Sequence, residues 1–137
     1  MLYESKLKVE KTLPTGETKE VKEHYILDAE TFGEAEKISY ELYPNNSTID
    51  VFAVFRSDIR EIINDKDEDK PFFRATVIDV YVDEYGKEKE TKYQMLVCAS
   101  DLAEATDLVN TYIKQGYDMR LDGMRRVKIA DYIKYAN

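Results

Sequence analysis

The sequence predicts an α+β protein made of two tandem copies of a β-β-α-β unit, residues 1–67 and residues 71–137. Identities recur at a constant offset of 70 positions, each copy opens with a strand–turn–strand pattern, and each then starts a helix with the same capping signal. We expect the copies to join edges in one antiparallel sheet of about six strands, with two helices packed on it and pseudo-twofold symmetry.

The repeat aligns without a gap, and its identities fall at turns, caps and strand ends. Residues 68–70, at the end of a charged run, form the predicted linker between the copies. The identical pairs are Gly16/Gly86, Lys19/Lys89, Glu20/Glu90, Lys22/Lys92, Ala29/Ala99, Glu34/Glu104, Ala35/Ala105, Arg56/Arg126, Ile59/Ile129 and Ile63/Ile133.

Each copy begins with an alternating strand and a glycine turn, which together predict a hairpin. Gly16 and Gly86 stand where the turn requires a positive φ. The second strands are expected at about 18–27 and 88–98, and the third at about 48–56 and 117–127. The residues predicted to share one face of the first strands are Tyr3, Ser5, Leu7 and Val9 and, at the matching places, Phe73, Ala75, Val77 and Asp79.

A helix follows each hairpin. Thr31 and Asp101 are predicted N-caps, each with a glutamate three residues later, and Pro44 and Gly116 are the predicted ends. After the third strand, spacing of four between isoleucines predicts a short helical turn at Ile59/Ile63 and at Ile129/Ile133. The predicted core stripes of the two helices are Phe32, Ala35, Ile38, Ser39 and Leu42, and Leu102, Ala105, Leu108, Val109 and Tyr112.

The first hairpin and the start of the first helix also carry a family resemblance. The segment from Leu2 to Lys11, Gly16, and the stretch Tyr-Ile-Leu-Asp-Ala-Glu-Thr-Phe-Gly-Glu-Ala-Glu at 25–36 resemble a family of bacterial and phage proteins known as domain of unknown function 4494. The resemblance is strongest in residues 2–36 and covers most of the chain. It implies a small accessory protein of gut-type bacteria or their phages, and it brings no catalytic residues with it.

Composition limits the partners. A formal charge of −8 disfavours indiscriminate binding to nucleic acid or to anionic membranes, and no apolar run approaches the ~20 residues that span a bilayer. Residues 1–67 carry 9 basic and 15 acidic side chains, and residues 71–137 carry 10 and 11. With a single cysteine, Cys98, and no signal-peptide pattern, we expect the cytoplasm of a bacterial or infected host cell and no membrane partner.

The sequence offers little for catalysis. Cys98 ends an apolar strand, which favours a buried thiol, and His24 is interpreted as an exposed strand residue without carboxylate partners. No nucleotide-binding glycine pattern or nucleophile motif occurs, so we expect no enzyme, no cofactor and no catalytic residue. Carboxylates are abundant, and a pair that holds a metal stays open, although the spacing assigns no metal ligands.

The predicted binding site is the locally basic stretch near the C-terminus, combined with tyrosines. Aromatic rings on a sheet beside cations are typical of single-strand nucleic-acid platforms, whereas tyrosine also simply covers half-buried strands. Strict alternation puts Arg120, Arg126 and Lys128 on one face and Arg125 on the other. The candidate nucleic-acid or anion ligands are Arg120, Arg125, Arg126, Lys128, Tyr117 and Tyr81.

Three functions follow from these patterns. The first is a non-enzymatic protein that binds single-stranded nucleic acid on an aromatic and basic sheet surface. The second is a phage anti-defence or adaptor protein that binds a host protein through the acidic surface of residues 1–67. The third is a nucleotide-binding sponge with its pocket between the lobes or at a homodimer interface. A homodimer formed through a sheet edge is also compatible with the pattern.

Overall fold

The computed structural model describes residues 1–43, 49–64, 70–113 and 118–134, and these ranges contain eight strands and two helices. The protein is therefore α+β and mostly sheet. The elements are β1 (Leu2–Thr12), β2 (Thr18–Asp28), α1 (Phe32–Glu41), β3 (Ile49–Arg56), β4 (Ile59–Ile63), β5 (Phe72–Val82), β6 (Glu88–Cys98), α2 (Leu102–Ile113), β7 (Met119–Val127) and β8 (Asp131–Ile133).

The chain folds into two compact units. Unit 1 comprises Met1–Ser57 and Ile129–Asn137, and unit 2 comprises Asp58–Lys128. Each unit has one helix and one four-stranded mixed sheet, in the order β3-β1-β2-β8 in unit 1 and β4-β6-β5-β7 in unit 2. Each sheet thus takes its fourth strand from the other half of the sequence. The expected single antiparallel sheet of about six strands is wrong.

The length of one connection explains this correction. Only two residues, Ser57 and Asp58, separate β3 from β4. In unit 1, β3 lies at one edge of the sheet and the place beside β2, which β8 occupies, lies at the other edge, roughly 14 Å away at the usual strand spacing. To reach that place, the chain after β3 would have to cross the sheet and run back along the full length of a strand. Two residues are too short for this path, and β4 instead pairs in parallel with β6 of unit 2. β8 takes the matching place beside β2.

The same strands correct the predicted helical turns. Ile59 and Ile63 bound strand β4, and Ile133 ends strand β8. Just before β8, the backbone amide of Ala130 donates to the carbonyl of His24 at 2.7 Å. A spacing of four residues also returns a side chain to the same face of a strand, so the isoleucine pairs fit both structures. These segments form strands because each pairs with the open edge of a hairpin.

Matched hairpins and a matched irregularity define the two sheets. Gly16 and Gly86 have φ of 85° and 77°, as the predicted turns require. The pairing of the first and third strands slips by one residue in each unit, between Lys6 and Leu7 and between Thr76 and Val77. The strand orders and registers of the two units therefore correspond at an offset of 70 residues.

The predicted helix starts are confirmed, because Thr31 Oγ1 accepts from Glu34 N at 3.1 Å and Asp101 Oδ1 from Glu104 N at 2.8 Å. The predicted ends Pro44 and Gly116 lie outside the described residues. Each helix packs on one face of its sheet, but Phe32 is 51% exposed, because the core contacts begin one turn later. The buried core residues are Tyr3, Leu7, Val9, Tyr25, Leu27, Ala29 and Ala35 in unit 1, and Phe73, Ala75, Val77, Met95, Val97, Ala99, Ala105, Val109 and Ile113 in unit 2.

Candidate nucleic-acid interface

Each sheet has two faces: a helix face, which carries the core, and a distal face on the other side. In β1 the residues at alternate positions Glu4, Lys6 and Lys8 belong to the distal face, because Tyr3, Leu7 and Val9 lie in the core. The distal face of unit 1 is not exposed throughout, since Glu4 and Ile26 are buried at one end. Its accessible part runs toward the β1–β2 turn and along the edge strand β3.

This accessible part carries the lysine–phenylalanine patch, which we define as Lys6, Lys8, Lys22, Phe52 and Phe55. The Lys6 ammonium lies 5.6 Å from the centre of the Phe55 ring, and the Lys8 ammonium lies 5.5 Å from the centre of the Phe52 ring. Phe52 and Phe55 are 46% and 39% exposed. Lys22 lies directly opposite Lys8 on β2. Two rings and three cations thus share one surface.

A β-bulge creates the patch. Ala53 lies opposite Lys6 and Val51 lies opposite Leu7, so Phe52 between them is the extra residue. Strict alternation would put Val51 and Val54 on opposite faces, with Phe52 on the same face as Val54, whereas Val51 and Val54 both pack against the core. A bulge re-aims the side chain at the irregular position. Here it adds the ring of Phe52 to the surface that already carries Phe55.

A buried carboxylate underlies one end of the patch. Glu4 Oε1 lies 2.8 Å from His24 Nε2, and Glu4 Oε2 accepts from Ser57 Oγ at 2.9 Å. His24, which we expected to be exposed and without carboxylate partners, is therefore part-buried against Glu4. In a catalytic triad the histidine lies between the hydroxyl and the carboxylate. Here the carboxylate lies between the imidazole and the hydroxyl, so this cluster is not arranged as a triad. The bonds to His24 and Ser57 help to compensate the burial of the Glu4 carboxylate.

The charges around the patch are mixed. Asp50 lies directly opposite Lys8, and Glu10 faces Glu20 nearer the turn. Asp28, at the other end of β2, lies 3.2 Å from the N-terminal ammonium of Met1. The three lysines therefore have carboxylates of the same face near them, those of Asp50, Glu10 and Glu20, within a unit that is acidic as a whole.

The predicted site residues do not share one face. Tyr117 lies outside the described residues. Arg120 lies opposite Ile78 and Arg125 opposite Arg74, on the distal face of unit 2, whereas Arg126 lies opposite the core residue Phe73.

The shared face expected for Arg120 and Arg126 is wrong, because the extra residue Asp122 shifts the alternation between them. Arg120 also pairs with Glu90 at 3.1 Å. Tyr81, 48% exposed, is at the turn end of β5 on the helix face, and Lys128 is exposed beyond the end of β7.

A second carboxylate cluster lies on the helix face of unit 1. Glu23 accepts hydrogen bonds from Lys11 at 3.0 Å, from Tyr25 at 3.0 Å and from Tyr43. Burial alone raises the pKa of the Glu23 carboxyl, but these three donors bring the pKa below its usual value. Burial, together with the Tyr43 hydroxyl and the charge of Glu23, raises the pKa of Tyr25. The cluster joins the end of α1 to β2 and leaves Glu23 ionised.

Unit 2 has a groove of about 600 Å³ between α2 and β4. Lys70 Nζ lies 2.8 Å from Glu104 Oε1 there, and this bond, with that from Ser100, lowers the pKa of Glu104. The groove presents carboxylates and does not fit the anion chemistry predicted from the arginines. Its lining residues are Ile63, Asp101, Glu104, Asp107, Leu108, Thr111 and Tyr112.

Other chemistry has fewer candidates. Cys98 is buried, as predicted. Across the described ranges, no three His, Cys, Asp or Glu side chains are placed to hold a metal ion. Neither α1 nor α2, the helices of the described parts of the chain, has the length and apolar character needed to cross a bilayer.

Sequence reasoning missed the lysine–phenylalanine patch, although two signals pointed to it. A hairpin centred on Gly16 fixes the register of β1 against β2, which puts Lys6, Lys8 and Lys22 on one face. The apolar positions of β3 are Ile49, Val51 and Val54. Their spacing of two and then three residues is the mark of a bulge.

The described residues define an α+β protein of two sheet-and-helix units with a cationic and aromatic sheet surface on one of them. Residues 1–135 match the family described as domain of unknown function (DUF4494), and the chain belongs to that family. No curated protein and no solved structure is significantly similar to it.

Proposed function

We propose that this chain is a non-enzymatic binding protein that holds single-stranded nucleic acid on the lysine–phenylalanine patch. The observation that carries the proposal is the bulge at Phe52, which adds a second exposed ring to a face with three lysines. We propose this surface instead of the predicted arginine site, because Arg120 and Arg125 lie on one face of their sheet and Arg126 lies on the other.

The chemistry favours unpaired bases. Exposed rings on a sheet stack with bases that are free to splay out, and each stack contributes about 1–3 kcal/mol. A base stacked on the exposed part of Phe55 or Phe52 brings its phosphate near the Lys6 or Lys8 ammonium, because each ammonium lies within 5.6 Å of its ring centre. A duplex keeps its bases stacked inside and offers these rings nothing comparable.

The formal charge of −8 weakens long-range attraction of nucleic acid. Local contacts depend less on the total, because charges further away than about 8 Å are largely screened at physiological salt. The buried carboxylate of Glu4 is already bonded to His24 and Ser57. We therefore expect modest affinity that falls steeply with salt.

Fluorescence anisotropy of labelled single-stranded DNA and RNA, measured over a sodium chloride series, tests the proposal. Phe55→Ala should weaken binding about tenfold through the lost stack. Lys8→Gln should lower the slope of log affinity against log salt by about 0.7, the value for one phosphate contact on a single strand.

Two variants serve as matched controls. Tyr40→Ala removes an exposed ring of α1, and Lys19→Gln removes an exposed cation of β2 on the helix side, and both should leave binding unchanged. Absence of binding at low salt, or equal losses in the control variants, would show that the patch is not a nucleic-acid site.

We further infer that the two halves arose by tandem duplication of a β-β-α-β unit. The equal strand orders and the bulges at Phe52 and Asp122, seventy residues apart, support it. On this inference the distal faces diverged after duplication. The matched positions now hold Lys6 and Thr76, Lys8 and Ile78, and Phe55 and Arg125.

A further inference from the structure

Two arginines lie side by side on the distal face of unit 2. Arg74 in β5 and Arg125 in β7 are directly opposite each other in an antiparallel pair. Like charges at such positions repel, because their Cβ atoms are only about 5 Å apart. Arg74 Nη2 bonds Asp58 Oδ1, whose carboxylate is mostly exposed. Asp58 is thus a carboxylate partner of Arg74, and the neighbouring Arg125 guanidinium does not share it.

The other cations of this face have carboxylate partners. Arg120 lies 3.1 Å from Glu90, and Lys92 lies 3.7 Å from Asp122. Arg125 is exposed and, within the described residues, forms no ion pair. In a chain with 28 acidic and 20 basic side chains, an exposed arginine beside another arginine and without a carboxylate is unexpected as a purely structural feature.

Open space adjoins the arginine pair. Gly123 is the next distal-face residue of β7 before Arg125, and a Cβ placed on it would meet no atom within 4 Å. Thr76 lies directly opposite Gly123, and its hydroxyl lies 3.2 Å from Gln94 Oε1. We call this place the arginine notch, bounded by Arg74, Thr76, Gly123 and Arg125. Unit 1 has Glu4, Lys6, Ala53 and Phe55 at the matched positions.

We propose that the arginine notch binds a phosphoryl anion. Planar guanidinium groups donate two parallel hydrogen bonds to phosphate oxygens, and the anion would also relieve the repulsion between Arg74 and Arg125. The missing side chain at Gly123 leaves room for the phosphate next to the Thr76 hydroxyl. The site is separate in residues and in chemistry from the lysine–phenylalanine patch, and it does not depend on the function proposed for that patch.

The test follows the Gly123 amide by NMR while inorganic phosphate is added to the full chain, with chloride at equal ionic strength as the reference. The amide should shift in a saturable way. Arg125→Gln should weaken the apparent affinity about tenfold, because bonds to a charged group are lost. Arg126→Gln is the matched control: it removes an exposed arginine of the same strand on the other face and should change the affinity less than twofold.

A second titration identifies the source of the phosphoryl group. A short single-stranded DNA without terminal phosphates presents only phosphodiesters. Binding of inorganic phosphate that depends on Arg125 indicates a site for free or terminal phosphate, and Arg125-dependent binding of the DNA alone indicates a backbone site. Absence of both, or equal losses in Arg125→Gln and Arg126→Gln, would overturn the proposal. Phe55→Ala should leave the phosphate titration unchanged. Phosphate binding at the arginine notch can therefore be tested independently of nucleic-acid binding at the lysine–phenylalanine patch.

Discussion

Phe52 in β3 and Asp122 in β7 occupy the same bulged position of the two sheets, seventy residues apart in the sequence. The ring of Phe52 lies under the Lys8 ammonium at 5.5 Å, and the Asp122 carboxylate lies 3.7 Å from the Lys92 ammonium. The backbone irregularity is therefore common to both units, while the side chain placed on it differs. We therefore expect function at this position to depend on the side chain and stability to depend on the backbone.

Exchange of this one side chain tests that separation. Phe52→Asp puts the residue of unit 2 into unit 1, where an exposed position should tolerate it within about 0.5 kcal/mol of unfolding free energy. Binding of single-stranded DNA should fall more than tenfold, because a ring is lost and a negative charge is added. Urea unfolding and anisotropy measure the two effects. A large loss of stability would instead assign Phe52 a structural role.

A buried hydroxyl pair gives a second prediction. Ser5 Oγ donates to Ser39 Oγ at 2.7 Å, Ser39 Oγ donates to the Ala35 carbonyl at 2.8 Å, and both serines are fully buried. Ser39→Val should cost about 1–3 kcal/mol, because the Ser5 hydroxyl loses its acceptor in the core.

The double variant Ser5→Ala with Ser39→Val is the control for this cost. Unit 2 has Ala75 and Val109 at the matched positions, both in its core. The double variant should regain most of the stability lost in Ser39→Val, as urea unfolding measures. A double variant that is less stable than Ser39→Val would show that the Ser5 hydroxyl still contributes without Ser39, and that loss of its acceptor is not the cause of the cost.

Much of the fold was predictable because its signals are local. The turn glycines Gly16 and Gly86 and the caps Thr31 and Asp101 each act within a few residues, and all four are where the sequence predicted them. The exchange of β4 and β8 was not predicted. It depends on which strand edge a short connection can reach, and isoleucine spacing does not carry that information.

The candidate sites were missed for a related reason. Strict alternation through β7 put Arg120 and Arg126 together, whereas the bulge puts Arg120 and Arg125 on one face. The contact of His24 with Glu4 follows from the hairpin register, which a local interpretation of His24 does not use. A one-residue error in register moves every later side chain to the other face, so site predictions on strands fail more readily than strand predictions.

Acid should weaken unit 1 through Glu23. Burial raises the pKa of this carboxyl in the folded state, but hydrogen bonds from Tyr43, Lys11 and Tyr25 outweigh burial and leave the pKa lowered. A lowered folded pKa stabilises the fold above the unfolded value of about 4.3, and this contribution is lost as pH falls through the folded pKa. Glu23→Gln should therefore be less stable than the parent at pH 7, with the difference shrinking toward about pH 3.

Urea unfolding at the two pH values measures this difference. Glu20→Gln serves as the control, because Glu20 is an exposed carboxylate of the same strand. Its stability difference from the parent should be small at both values. A Glu23→Gln difference that stays constant with pH would show that the hydrogen bonds do not depend on the charge of Glu23.

The short connection between β3 and β4 predicts how a fragment without β8 should behave. A fragment of residues 1–64 contains β4 but lacks β8, so the edge of its β2 has no strand beside it. Ile59 and Ile63 match Ile129 and Ile133 in the repeat, and β4 is thus suited to the place of β8. Two connecting residues cannot bring β4 to the β2 edge of its own sheet.

The fragment should therefore form a homodimer in which two copies exchange β4. Sedimentation equilibrium should give twice the fragment mass, and dilution should reduce its circular dichroism signal along with its mass, because folding and association are linked. Ile59→Asp with Ile63→Asp should abolish the dimer by placing charges in the pairing strand. A folded fragment that remains monomeric at all concentrations would show that β4 can reach its own sheet, and that the short connection is not the cause of the exchange.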